Sequence, residues 1–219
     1  MPESASFSMR KKPNFRRRRT LAGIVLLVAA IVVVALLSRS TGGPGSKSNP
    51  IPTLAFVAKV NTVAQTSSPD AATRRADGDT IIKMFTDFYQ EAFVDPRKWG
   101  DGQFNDLKDK FAKDAQASFT KDLESMTIGT LRTQLKRVDP TTANLVVTVY
   151  YNDKQKPTYA VAAASFYAHG TLKQSGPRVT IKQKATFYLT KTGGGWSIMS
   201  YDSDQSQDTP TPSPTASPS

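Results

Sequence analysis

The residues able to do chemistry are few, and their spacing assembles little. The chain has one histidine, His169, and no cysteine. Thiol catalysis and a disulfide framework are therefore excluded. A zinc site needs several converging ligands, and a lone His beside Gly170 at the end of a strand-like run supplies one. His169 reads as a turn residue and not as an acid or base, because no second group stands at a fixed spacing from it. Gly193-Gly194-Gly195 lacks the Lys-Ser/Thr and the following helix of a phosphate loop. Asp106, Asp109, Asp114, Asp122 and Glu124 interleave with lysines. That pattern gives a solvated helix face, with each pair adding only about 0.2 to 0.5 kcal/mol. No catalytic residue, cofactor site or metal site is assigned. Six aromatics, Phe85, Tyr89, Phe93, Tyr167, Phe187 and Trp196, are expected in the core. Their functional alternative is to line an apolar pocket.

The elements that would position these groups follow a long apolar run. Residues 16–38 read RRRRTLAGIVLLVAAIVVVALLS, with no charge, amide or hydroxyl from Leu21 to Leu37. About 17 to 19 helical residues at about 1.5 Å each just cross a bilayer core of about 30 Å. Residues 1–19 hold seven basic groups and one acid, which places the N-terminus in the cytoplasm and the rest outside. A cleaved signal peptide is the rival. It would have a shorter apolar core and a small-x-small site, whereas Ser38-Arg39-Ser40 follows here. The net charge of +11 is thus largely topology signal, since the other 200 residues hold 22 basic groups against 17 acids. The densest basic cluster abuts the membrane, so nucleic acid is not an expected partner.

The expected organisation is a basic cytoplasmic tail (1–19), a transmembrane helix (20–38), a flexible linker (39–77), an extracytoplasmic domain (78–202) and a disordered Pro/Thr/Ser-rich tail (203–219). As a coil the linker would reach about 30 to 35 Å. Within it, residues 51–65 could form a short strand or belong to the linker. From Thr80, apolar residues at spacings of three and four predict a helix with a buried stripe, capped by Asp77 or Asp79 and ended by Pro96. A second helical stretch runs from Phe104 to Met126, with a break near residues 112–115. The period then becomes two. Strands are expected after Leu131, at 145–151, 159–168 and 179–189, and from Trp196. Turns fall at Asp139-Pro140, 152–157 and 193–195. Tyr150 and Tyr151 must face opposite sides of their strand. Helices followed by adjacent strands give an α+β fold with an antiparallel sheet.

The two amphipathic stretches, the meander and the closing GGGWSIMSYD resemble the nuclear transport factor 2-like superfamily, over about Asp79 to Asp202. The resemblance implies two or three helices packed on a curved antiparallel sheet that forms a cone. With the anchor, the plan resembles actinobacterial mammalian-cell-entry-associated membrane proteins and the assembly factors of type IV secretion and conjugation systems. Both imply a non-catalytic interaction or scaffold domain in the cell membrane, with protein partners in the envelope. The strand face that carries one of Tyr150 and Tyr151 outward is expected to offer a contact for a homo-oligomer through the sheet. A small hydrophobic ligand in the cone, or an isomerase or dehydratase of the same fold, are the alternatives.

Overall fold

The computed structural model describes residues 50–100, 102–174 and 176–208. The N-terminal tail, the apolar run, residues 39–49 and the chain after Asp208 lie outside the described residues. Among those described, no helix is long and apolar enough to cross a membrane.

The fold is α+β, with a five-stranded sheet in the order β1-β2-β3-β4-β5 and helices on one face. Strand β1 (Val57–Ala64) comes first, then helix α1 (Ala71–Tyr89). The helix starts where Asp70 accepts hydrogen bonds from the Thr73 amide at 2.9 Å and its hydroxyl at 2.7 Å. Those bonds satisfy a free first-turn donor. The cap is therefore Asp70, not Asp77 or Asp79, and Asp77 is buried in the helix. Ile81, Phe85, Phe88 and Tyr89 form the buried stripe, while Lys83 and Asp87 stay exposed and pair at 2.7 Å. The helix widens into a π-turn (Gln90–Val94). It stops at Asp95, which is extended because Pro96 disfavours helical geometry in the residue before it.

The expected second helix is three short ones, α2 (Asn105–Lys108), α3 (Lys113–Lys121) and α4 (Leu123–Met126). The break near residues 112–115 has a cause. Residues 110–112 leave the helix to pair with β5, where the Ala112 amide donates to the Ile198 carbonyl at 2.8 Å.

Strands β2 (Leu135–Tyr151), β3 (Pro157–Leu172), β4 (Val179–Thr192) and β5 (Gly195–Asp208) form an antiparallel meander. Four expectations are corrected. Asp139-Pro140 is not a turn, because β2 runs through it. A register shift between Pro140 and Thr142 absorbs the missing proline donor. The sheet is mixed, since β1 pairs parallel with β2, from Val57 opposite Asn144 to Ala64 opposite Tyr151. The helical layer between them is the crossover that a parallel pair requires. Of the expected linker, Val57–Ala64 is strand, the alternative left open for residues 51–65, and the helix begins at Ala71, before residue 78. Ser203–Asp208 extends β5 against residues 180–185 of β4, because backbone pairing there needs no apolar side chains. The hairpin at 193–195 stands as expected, with Gly195 at φ +121°, a conformation that L side chains rarely adopt.

Burial alternates along β2, β3 and β4. Odd positions of β2 from Ala143 and of β4, and even positions of β3, face the helices. Phe85 meets Phe187 at 4.7 Å between ring centroids, Tyr89 meets Phe166 at 5.6 Å, and Phe111 stacks on Phe119 at 4.4 Å. Each aromatic of this kind removes about 150 to 250 Å² from water.

Candidate functional site

Three places could carry function, and each is set by a different part of the fold. The first is the layer between helices and sheet. Phe85, Tyr89, Phe93 and Phe187 are fully buried there, and Trp196 is 8% exposed. Tyr167 is not with them. It lies on the opposite face of β3, half-buried beside His169 at 5.2 Å, because it sits one position from buried Phe166 and successive strand residues alternate. Tyr89 stacks on Phe93 at 5.4 Å. Its hydroxyl finds no partner among the described residues, and burial pushes its pKa up. At neutral pH it is a neutral phenol and no base.

The second place is a polar cluster at one end of that layer. Asp77 comes from α1, Tyr151 from the end of β2 and Lys191 from the end of β4. The Tyr151 hydroxyl donates to Asp77 Oδ2 at 3.0 Å, and Lys191 Nζ lies 3.3 Å from Oδ1. Lys191 Nζ also stands 5.0 Å from the Trp196 ring centroid. Burial, with the neighbouring Asp77 charge second, raises the Tyr151 pKa. The cluster satisfies itself: both carboxylate oxygens are engaged, and the cation has a counter-charge and a ring. It pins helix to sheet and leaves no free acid–base pair. Sequence reasoning missed it, since Asp77 and Lys191 bond across a separation of 114 residues.

The third place is the outer face of the sheet. Val57, Val63 and Val146 are 63%, 46% and 41% exposed. All three point away from the helices, since each neighbours or pairs with a residue one step from the buried positions. Tyr150, Tyr159 and Tyr188 form a row across the same face, with centroids 5.5 and 6.5 Å apart. As expected, Tyr150 is here while Tyr151, on the other side, is buried. Beside this row is a shallow open trough of about 440 Å³ bounded by Val146, Ser165, Lys184 and Asp202. His169 is also on the outer face, opposite Asp139 in the β2–β3 register. It meets no acid inside the core. Among the described residues, no three of His, Asp and Glu converge as a metal site would require.

No family model matches the chain, and no curated protein does. A solved structure that matches is named "Putative Scytalone Dehydratase" and comes from Novosphingobium aromaticivorans. It is 13% identical, covers 65% of this chain and 93% of its own, and aligns with a TM-score of 0.44. Neither fold nor chemistry is argued from so distant a likeness.

Proposed function

We propose that the chain is a membrane-anchored, extracytoplasmic, non-catalytic interaction domain that assists a transport or secretion complex of the cell envelope. One observation carries the reading: the aromatics of the interior are buried against one another, while, among the described residues, three of the four exposed large hydrophobics sit on the outer sheet face. Phe85, Tyr89, Phe93 and Phe187 are fully buried against one another and the sheet, which supports a packing role for them over a ligand-lining one. The carboxylates of the interior are occupied, Asp77 by Tyr151 and Lys191 and Asp95 by Arg97. The outer face, in contrast, sets the exposed valines and a row of tyrosines among polar residues such as Lys59 and Asn61, a mixed composition of the kind found at contact surfaces. The anchor comes from the apolar run and the arginines before it. A leading helix, short helices and an antiparallel meander also fit the nuclear transport factor 2-like plan, which we adopt as part of the proposal.

The sheet face serves either a second copy or an envelope protein. Crosslinking full-length protein in membranes, followed by detergent purification, should recover a defined set of integral membrane partners or a dimer. Val146→Lys with Val63→Lys should remove those products without changing the circular dichroism. Recovery of the monomer alone, in repeated preparations, would sink the proposal.

A further inference from the structure

The chain enters the folded domain at a fixed place. Gln90, in the π-turn, accepts from the Leu54 amide at 2.7 Å and donates to the Pro52 carbonyl at 3.0 Å. An Arg137 Nη1 donates to the Pro50 carbonyl at 2.8 Å. Residues 50–54 are therefore held at the end of the sheet where β2 starts. Only eleven residues, 39–49, separate Pro50 from the apolar run. Fully extended they span at most about 40 Å, and as a coil about 17 to 20 Å. A domain of this size is about 35 to 40 Å across. On the anchor reading, a tether of that length would be on average shorter than the body it holds and would keep the end bearing Pro50 toward the bilayer.

That same end is basic. β2 starts, β3 finishes and β4 starts there. Lys136, Lys173 and Arg178 project from those strand ends and are exposed. None of the three has an ion-pair partner among the described residues, whereas Arg137 is held by Asp139 and Lys182 by Asp208. The opposite end, with the 152–156 turn and the start of α1, mixes signs. Asp153, Asp70 and Asp79 there stand among Lys154, Lys156, Arg74 and Arg75, so acids offset most of its basic charge.

We infer that the Lys136–Lys173–Arg178 end is a docking surface for anionic lipid headgroups, holding the domain against the bilayer in one orientation with its outer sheet face accessible from the side. The inference rests on the anchor reading above. Charge complementarity and the short tether select a lipid surface over a soluble anionic partner. Basic groups near an anionic surface act additively and are screened within a Debye length.

The chain's lack of cysteine permits a clean test with the full-length protein in vesicles. Fluorophores are placed at Gln174→Cys, beside the basic end, or at Asp153→Cys, at the opposite turn. Quenching by headgroup-labelled lipid is then read in phosphatidylcholine with and without phosphatidylglycerol. The Gln174 probe should be quenched more strongly when phosphatidylglycerol is present, and the Asp153 probe weakly in both. Lys136→Gln, Lys173→Gln and Arg178→Gln should each lower the ratio of docked to undocked protein roughly fivefold. Raising the salt to about 1 M should mimic them. Equal quenching at both positions, or quenching at Gln174 indifferent to lipid charge, overturns the inference. Alkaline carbonate extraction reads the anchor separately. A chain that is released overturns both readings, while a retained chain with equal quenching overturns only the docking.

Discussion

The Tyr151 hydroxyl, Asp77 carboxylate and Lys191 ammonium form the most consequential polar contact of the interior, and each member depends on the others. Removing the hydroxyl by Tyr151→Phe deletes one charge-assisted bond and should cost about 1.5 to 3 kcal/mol. Asp77→Ala strands two donors and should cost more, about 3 kcal/mol, at the low end for a broken buried pair because half-buried Lys191 can turn to water. Urea unfolding with an unchanged m-value would report both. Asp95 offers a pH test. The Arg97 guanidinium binds it at 2.9 and 2.8 Å and holds its carboxyl below the usual range. A lowered native pKa gives stability that is complete above the unfolded value of about 3.9 and fades as pH falls through the native value. Asp95→Asn should therefore destabilise the protein at neutral pH. The difference from wild type should close below about pH 4, measured as denaturation midpoints across pH.

At the scale of elements, the crossing of α1 over β1 decides how the first strand joins the sheet. A Cβ on Gly78 would lie 2.9 Å from Val60 Cγ2, and a β-branched valine has little freedom to yield. Gly78→Ala gains about 1 kcal/mol of helix propensity but overpacks at a cost of about 1 to 3 kcal/mol. A net loss is expected, and it should shrink when Val60→Ala supplies room. A double-mutant cycle of thermal midpoints would show the coupling. Elements with a strong period were legible in the sequence: the α1 stripe, the alternating strands and the 152–157 and 193–195 turns. Strand β1 was legible only as one of two alternatives for residues 51–65, because a strand at the sheet's edge keeps both faces partly wet and its sequence holds no clean alternation. The last stretch of β5 was not legible, because its Ser, Asp and Gln side chains hide a backbone ladder. Pro140 suggested a turn because a bulge can absorb a proline in ways that a local reading does not weigh. Of the six aromatics, Tyr167 was misplaced because its strand phase is set by Phe166 beside it.

For the whole molecule, one face of the sheet builds the core and the other stays partly exposed among the described residues. The helices bury the aromatics of the first face, and the valines and tyrosines of the second have no cover among the described residues. On the reading proposed above, such an arrangement would act by holding partners near one another, with the membrane raising their effective concentration. Everything in that account depends on the domain standing outside the membrane at the end of a retained apolar helix. The most direct measurement labels single cysteines in intact cells with an impermeant maleimide, at Ser6→Cys and at Gln174→Cys. The account predicts labelling of position 174 in intact cells, labelling of position 6 only after lysis, and retention of both proteins in carbonate-washed membranes. Labelling of position 6 with protection of 174, or release of the domain into the soluble fraction, would contradict it.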